Sequence, residues 1–340
     1  MEYFRQSFID KLNEDGDIEI AKITWARDYV LKSLDEKSYN EVFAEWVNQS
    51  KEDAKQRALD FLTDNGCLER FRRLAHRFQA QQVIPFVGAG MSIPTGFMPW
   101  GGFLISLLQG DAPQEIPTLR GMLALGQYEE AAQHVHNILT AGVFTAEIAE
   151  RLGSHRLQSV GSVNLLPHLF AGEVITTNFD YVLMNAYRNA GMQFGATICG
   201  ADLRAAPARL GNGNHALLRL HGEADVANGR VLTLDEYHAV YTAGRDLKGL
   251  LAAIMGVRSF LFLGCSLEVD RTIQALKEVK AETPVENSPH FAFLPEPATA
   301  VRLQRRTFLE EAGIHPIYYP AGEHDQSIED LLITMMEGGI

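Results

Sequence analysis

The fold of this 340-residue chain is decided by the stretch Val83-Ile84-Pro85-Phe86-Val87-Gly88-Ala89-Gly90-Met91-Ser92. An apolar run of strand type leads directly into a Gly-x-Gly turn, and a small hydroxyl residue, Ser92, follows where a helix would begin. Such a run is typical of a strand buried in a parallel sheet, and the glycines allow the backbone to approach a ligand closely. We therefore expect the amide groups of the turn and of the next helix to form an anion site suited to a pyrophosphate. An ordinary strand–turn–helix corner also needs glycine, so the turn alone leaves both interpretations open.

The same stretch departs from the fingerprint of nicotinamide dehydrogenases. That fingerprint is Gly-x-Gly-x-x-Gly, and its third glycine position is Ile93 in this chain. It also places an acidic residue about 20 positions further on, at the end of a second strand. Asp111 stands at about that distance, but the glycine before it and the proline after it are typical of a loop. An ordinary dehydrogenase is therefore not favoured.

Composition limits the class of protein. With 46% hydrophobic and 21% charged residues, the chain has the composition of a soluble globular protein. Its length accommodates either one large domain with an appendage or two domains. A formal net charge of −13 argues against broad, non-specific nucleic-acid binding, and we identify no nucleic-acid motif.

Cysteine usage and hydropathy indicate a cytoplasmic protein. Cys67, Cys199 and Cys265 lie far apart and form no Cys-x-x-Cys pair, which excludes a four-cysteine zinc site within this chain and fits a reducing compartment. The first 15 residues are charged and lack an apolar core, so we expect no secretory signal. The longest apolar stretch, 250–267, is interrupted by Arg258, and we expect it to form a helix end and a strand and not a membrane span.

The chain divides into segments of different character. Residues 1–80 have apolar positions at helical spacing, including 20–26, and predict an N-terminal helical region. From residue 81 to 340 strands and helices alternate, which predicts an α/β domain with a doubly wound parallel sheet. Residues 95–102 have the glycine and proline content of a loop, and 103–170 is again helical, so we expect a small helical module inserted between strands.

Three further predicted strands end in residues that suit a binding site. The strand at 172–176 is followed by Thr177, Asn178 and Asp180, and the strand Leu217–Leu220 by His221 and a glycine. The strand Ser259–Leu263 opens on Gly264 and Ser266. Ligands bind at the carboxyl ends of strands in open α/β sheets, where these side chains would lie. A simple helix cap at 178–180 and a structural histidine at 221 are the alternative interpretations.

The four strand ends appear in a fixed order: Gly-Ala-Gly-x-Ser, Thr-Asn-x-Asp, Leu-His-Gly and Gly-x-Ser. Together they resemble the sirtuin-type NAD-binding domain with its Rossmann-like sheet, and in particular the sirtuin-like domains of bacterial anti-phage defence proteins. The Leu-Thr-x-x-x-Tyr stretch at 232–237 and the Phe-Leu-Gly-Cys-Ser-Leu-x-x-Asp stretch at 262–270 are similar to that branch. The resemblance covers roughly residues 80–335 and leaves the N-terminal helices unmatched.

The resemblance implies a role for each strand end in binding NAD. It implies that the pyrophosphate is held by the first turn, that is by Gly88, Ala89, Gly90 and Ser92. It also implies that Gly264 and Ser266 line the adenosine side of the cleft, and that Asp180 holds the nicotinamide carboxamide.

The catalytic residues implied by the resemblance are Asn178 and His221. Asn178 would contact the ribose or orient the attacking group, and His221 matches the catalytic histidine. Thr177 stands where sirtuins commonly have a glutamine, and we count it among the cofactor-binding residues.

Departures from the sirtuin deacylases indicate a different activity. The chain has no pair of Cys-x-x-Cys motifs for the zinc module, so no metal is expected, and Phe97-Met98-Pro99-Trp100 replaces the Pro-x-Phe-Arg loop. The resemblance therefore implies hydrolysis of NAD, as a substrate, to nicotinamide and ADP-ribose, by an effector that depletes the cofactor in abortive infection.

Three alternatives remain at this stage. The cleft could serve a non-catalytic NAD or ADP-ribose sensor, although such a sensor needs no pairing of Asn178 with His221. A protein deacylase is disfavoured by the missing zinc cysteines. The chain could also act as an assembly subunit, with its first 80 residues packed against copies or a partner, and this role is compatible with catalysis. Because an unrestrained NAD hydrolase would kill its host, we expect a homo-oligomer or a protein trigger to control it.

Overall fold

The computed structural model describes residues 2–199, 215–241, 247–255, 258–268, 271–282 and 288–340. Its strands, in chain order, are β1 (Ile18–Ile20), β2 (Ile23–Trp25), β3 (Val83–Val87), β4 (Val174–Thr176), β5 (Ala196–Cys199), β6 (Ala216–Arg219), β7 (Ser259–Leu263), β8 (His290–Pro295) and β9 (Ile314–Tyr319). Its α-helices are α1 (Arg5–Asn13), α2 (Arg27–Leu34), α3 (Glu36–Asp64), α4 (Leu68–Gln79), α5 (Trp100–Leu108), α6 (Ile116–Ala124), α7 (Tyr128–Leu152), α8 (Leu166–Leu169), α9 (Val182–Asn189), α10 (Leu234–Val240), α11 (Leu247–Met255), α12 (Arg271–Glu282), α13 (Thr299–Glu311) and α14 (His324–Met336).

A parallel sheet of seven strands organises the described residues. Its order is β5-β6-β4-β3-β7-β8-β9, and each neighbouring pair is parallel. The chain starts at β3, builds outward through β4 to the β5 edge, and then crosses back to add β7, β8 and β9 on the other side. The predicted doubly wound parallel sheet is therefore confirmed. The point where the order reverses lies between β3 and β7, which is where such sheets bind ligands.

The two central strands are buried because helices cover both faces of the sheet. All five residues of β7 and the last four of β3 are buried, as expected for strands whose side chains face a core on either side. Phe86 packs its ring 4.8 Å from that of Phe262 and 6.0 Å from that of Phe260 across the β3–β7 pair.

Pro85 lies inside the central strand β3, where a proline removes a hydrogen-bond donor. Backbone donors alternate between the two sides of a strand, and the Gly88 amide donates towards β7, to the Leu263 carbonyl. The nitrogen of Pro85 therefore faces β4. The pairs of β3 with β4 are Phe86 with Ile175 and Val87 with Thr176, so the same register places Pro85 opposite Val174, the first residue of β4, where no pair forms. The proline thus marks the end of the β3–β4 ladder.

The N-terminal region is mostly helical, as predicted, with one correction. Residues 18–25, for which helical spacing was expected in part, form the antiparallel hairpin β1–β2. Ala21 and Lys22 adopt φ values of 53° and 65°, the left-handed conformation that a two-residue hairpin turn requires at both central positions. The isoleucines flanking this turn alternate with polar residues. This two-residue period is the pattern of a strand, and it describes the segment better than the helical spacing does.

Helix α3 attaches this region to the C-terminal helix α14. The Arg57 guanidinium donates two hydrogen bonds to the Asp330 carboxylate, from Nε to Oδ2 at 2.9 Å and from Nη2 to Oδ1 at 2.7 Å. Asp330 is only 2% exposed. The boundary proposed at residue 80 stays a prediction.

The segment between β3 and β4 is helical and carries a core of its own. Side chains from α5, α6 and α7 form a second apolar cluster, to which Phe179, Ala224 and Leu232 contribute from the neighbouring loops. The predicted loop at 95–102 is wrong at its end, since Trp100 begins α5 and places both following glycines in its first turn. No single helix in the described ranges is long and apolar enough to cross a membrane; one pair bent by 65°, Ala89–Thr95 with Trp100–Leu108, passes on length and composition alone.

Candidate active site

The predicted site residues lie at the carboxyl ends of β3, β4, β6 and β7. These four strands are neighbours in the order β6-β4-β3-β7, so the turns that follow them meet at one edge of the sheet. The structure thereby brings together the four motifs that are far apart in sequence.

Glycines allow the turns after β3 and β7 to touch. A Cβ atom on Gly88 would lie 2.6 Å from the Gly264 carbonyl oxygen, and one on Gly90 would lie 2.8 Å from the Gly264 Cα. Gly264 has a φ of 65°, and its own Cβ would lie 2.5 Å from the Met91 nitrogen. Two hydrogen bonds stabilise this contact, from the Gly88 amide to the Leu263 carbonyl and from the Gly90 amide to the Gly264 carbonyl, both 2.8 Å long. These two amides are therefore engaged within the protein, and the pyrophosphate role of Gly88–Ser92 stays a prediction.

Asn178 is held by a network of buried polar groups. Its Nδ2 donates to the Gly88 carbonyl at 3.1 Å and to the Ser92 hydroxyl oxygen at 3.2 Å. Its backbone amide donates to the Thr176 hydroxyl oxygen at 3.0 Å, and that hydroxyl donates to the Val87 carbonyl. Because both bonds of the side chain use Nδ2, the network assigns the other end of the amide as oxygen. This Oδ1 has no hydrogen-bond partner among the described residues.

Asp180 supports the same network and also binds the first backbone amide of α9. The Ser92 hydroxyl donates to its Oδ2 at 2.9 Å, and the Val182 amide donates to its Oδ1 at 2.9 Å. Burial raises the pKa of the Asp180 carboxyl, and these hydrogen bonds and the charge of Arg219 oppose the shift. Asp180 thus satisfies the first amide of α9 from the position before the N-cap residue Tyr181, and it also fixes Ser92; its nicotinamide role stays a prediction.

Arg219 is the functional candidate that sequence reasoning missed. It is the last residue of β6, is 1% exposed, and donates hydrogen bonds to the carbonyls of Asn178, Phe179, Asp180 and Gly222. The signal was present in the sequence, because a charged residue interrupts the otherwise apolar strand Leu217–Leu220.

His221 follows Arg219 after one residue and is partly buried. Burial lowers the pKa of its imidazole to about 4, so the ring is neutral at pH 7. Its carbonyl accepts the Val231 amide, and the glycine after it adopts a φ of 79°. No hydrogen bond from another described residue fixes its ring nitrogens, which leaves them available to a ligand.

Comparison with known proteins finds a family similar to the part of the chain that contains β4, β6 and β7. Residues 172–317, less than half of the chain, match the family model of the SIR2-like domain. This part of the chain is similar to a SIR2-like domain, and the match does not include β3. The predicted resemblance to sirtuin-type domains is confirmed.

One curated relative is the NAD(+) hydrolase ThsA of Acinetobacter baumannii (strain 532279). It is 24% identical over 198 residues, which is 57% of this chain and 38% of the relative. The matched stretch therefore covers well under two thirds of the relative's own length. The name of that protein gives NAD(+) as its own substrate.

Aromatic rings line one side of the candidate site. The Trp100 ring stacks on Phe103 with centroids 5.2 Å apart and lies 5.5 Å from Phe179. The Phe179 ring is in turn 6.0 Å from that of His221. This row leads from α5, at the start of the helical segment, to the candidate base, so that segment forms a wall of the site.

The remaining predicted site residues lie at the same edge of the sheet. Thr177 is partly buried, and its amide faces the Val87 carbonyl at 3.4 Å, while Ala89 is partly buried in the first turn. Ser266 is exposed, and its carbonyl accepts a hydrogen bond from Arg305. Asp270, the last residue of the 262–270 motif, lies outside the described residues. Within the described ranges no group of three or more His, Cys, Asp or Glu side chains could hold a metal ion.

Proposed function

We propose that this chain hydrolyses NAD+ at the nicotinamide–ribose bond and releases nicotinamide and ADP-ribose. The proposal rests on one observation, the pairing of Asn178 and His221 at neighbouring strand ends. The Asn178 amide is fixed through Nδ2, with Oδ1 unpaired among the described residues, and the His221 ring is neutral at pH 7. The similarity to a named NAD(+) hydrolase supports the choice of substrate.

The chemistry requires a positioned water and a base. The bond between C1′ of the ribose and the nicotinamide nitrogen breaks with both electrons leaving on nicotinamide, so positive charge develops on the sugar. A water oxygen then bonds to C1′ and loses a proton. The Asn178 Oδ1 accepts a hydrogen bond from this water and orients it, while a ring nitrogen of His221 takes the proton and passes it to solvent. Because the water becomes acidic as it bonds to the cationic sugar, a base with a low pKa suffices.

The test is incubation of the purified protein with NAD+ while nicotinamide and ADP-ribose are measured. We expect release by the wild type and a loss of ~10²–10⁴-fold in Asn178→Ala and His221→Ala. His215→Ala, at the opposite end of β6, and the exposed Asn189→Ala are matched controls and retain activity. Close to full activity in either site variant refutes its assigned role. NAD+ binding without turnover by the wild type favours the sensor, and turnover only of an acylated lysine peptide favours the deacylase.

The biological role we propose is depletion of NAD+ by a cytoplasmic effector of bacterial anti-phage defence. It is supported by the resemblance to that branch of sirtuin-like domains, and homo-oligomerisation or a protein trigger would supply the restraint. The expected result is a fall in cellular NAD+ after phage infection of bacteria that express the wild type, and no fall with Asn178→Ala. Equal NAD+ levels in the two strains refute the role.

A further inference from the structure

One buried cation connects the loops that carry the two candidate catalytic residues. Nη2 of Arg219 donates to three consecutive carbonyls, at 3.1 Å to Asn178, 2.7 Å to Phe179 and 2.8 Å to Asp180. Its Nε donates to the carbonyl of Gly222, which follows His221, at 3.2 Å. The loop after β4 and the loop after β6 are therefore tied to a single guanidinium.

The convergence of three consecutive carbonyls shapes the loop after β4. The backbone turns around the guanidinium, while the side chain of Asn178 bonds to the Gly88 carbonyl and the Ser92 hydroxyl. The planar fork of arginine can hold several acceptors in fixed directions, which a lysine ammonium cannot reproduce. The position of the Asn178 amide is thus linked to the position of Arg219.

Retaining a charge at this place is costly for folding. Arg219 follows two fully buried leucines in β6, and the burial of an arginine costs desolvation free energy that an apolar side chain avoids. The carbonyl dipoles, the Tyr181 ring at 4.8 Å and the Glu223 carboxylate at 3.8 Å offset part of that cost. A methionine side chain could fill the same buried space in β6 without a charge. The presence of an arginine is therefore explained by the arrangement of the two loops that its guanidinium holds.

We propose that Arg219 is a positioning residue that sets the Asn178 amide relative to the His221 ring. The proposal rests on the function proposed above, in which these two groups orient and deprotonate the attacking water. Arg219 itself faces backbone carbonyls and takes no part in bond breaking.

The experiment compares Arg219→Lys and Arg219→Met with Arg230→Lys. Arg230 is a matched control because it is likewise buried, at 2% exposed against 1% for Arg219, but its guanidinium pairs with Glu236, at 2.8 and 3.1 Å. For each protein kcat and KM for NAD+ are measured by nicotinamide release, together with thermal unfolding and hydrogen exchange of peptides spanning 177–182 and 220–223. In Arg219→Lys we expect kcat to fall ~10²-fold with KM within about threefold, because a misplacement of about 1 Å has that effect on a catalytic step.

Hydrogen exchange separates positioning from simple destabilisation. In both Arg219 variants we expect faster exchange in the two loop peptides alone, with a larger kcat loss in Arg219→Met and a near wild-type kcat in Arg230→Lys. A kcat within threefold of wild type in both Arg219 variants overturns the proposal. Faster exchange throughout the sheet, with kcat falling only as the folded fraction falls, overturns it as well.

The same experiment distinguishes failure of the proposed function from failure of the positioning role. If the wild type releases no nicotinamide, NAD+ hydrolysis by the purified chain alone is refuted, and exchange in the two loops still reports on Arg219. Unchanged exchange in both loops then overturns the positioning role, and faster exchange confined to them supports it.

Discussion

At the scale of single residues, the low pKa of His221 makes a prediction about activity. Burial lowers this pKa to about 4, so the ring loses its basic form only as the pH falls through that value. We expect kcat/KM for NAD+ to be flat from pH 8 to about 5 and to fall below. A histidine with the ordinary pKa of about 6.5 would be about 90% protonated at pH 5.5 and would already have lost most of its activity. The measurement is a pH profile of nicotinamide release, with circular dichroism at each pH to show that the protein stays folded. A midpoint near 6.5 contradicts the prediction.

Single residues also show what the sequence could and could not predict about the site. Asn178 and His221 could be predicted as site residues because each follows an apolar strand, and the carboxyl ends of parallel strands meet at one edge of the sheet. The hydrogen bonds from Asn178 to Ser92 and from Ser92 to Asp180 join residues more than 80 positions apart, and no local pattern specifies them. The charge of Arg219 is visible in the sequence. The carbonyls that it binds come together only because the chain turns after β4, and the sequence does not show this.

At the scale of elements, the bond between α3 and α14 is open to a direct test. Arg57→Leu leaves the buried Asp330 carboxylate without its guanidinium. Because Arg57 is itself half exposed, we expect a loss of about 1–2 kcal/mol in the free energy of unfolding, at the low end for hydrogen bonds to charged groups. Urea unfolding measures it. Lys37→Leu, which breaks an exposed pair with Glu41 on the same helix, is the control and should change stability by less than about 0.5 kcal/mol. Equal losses in the free energy of unfolding for the two substitutions would show that the burial of Asp330 does not make its pair with Arg57 more stabilising than the exposed pair.

Elements differed in how well they could be predicted. The apolar runs at β3 and β7 have the length and composition of buried strands, and both were predicted. The edge strand β5 has only four residues with alternating exposure, which is a weak pattern, and it was missed. The spacing at 20–26 predicts a helix where the structure has the hairpin β1–β2, because apolar residues three and four apart fit a helix as well as two short strands on either side of a turn.

At the scale of the whole molecule, His290 makes stability depend on pH. Its Nδ1 accepts the Phe260 amide at 3.0 Å, joining the start of β8 to β7, and burial, with nearby positive charges, lowers its pKa to about 3. In the unfolded chain a histidine has a pKa of about 6.5, so below that pH the unfolded state binds more protons than the folded one. This histidine therefore removes about 1.4 kcal/mol of stability for each pH unit from 6.5 down towards 3.

The variant His290→Asn isolates that contribution. An asparagine oxygen can accept the same amide but does not titrate in this range. We expect its free energy of unfolding, measured in urea between pH 7 and pH 5, to fall less steeply than that of the wild type. Parallel slopes for the two proteins contradict the prediction.

Pro85 fixes which residue of the loop after β4 reaches the edge of the sheet. The Thr177 amide faces the Val87 carbonyl, so Val87 is the residue of β3 that exchanges bonds with β4. A slip of β4 by one residue towards the start of β3 would turn every side chain to the opposite face. A slip by two would keep the faces but place Pro85, which has no N–H, in the role of Val87. In that direction the present alignment is therefore the last one in which a residue with an N–H takes the role of Val87, and a ring without functional groups helps to determine that Asn178 lies just beyond the end of β4.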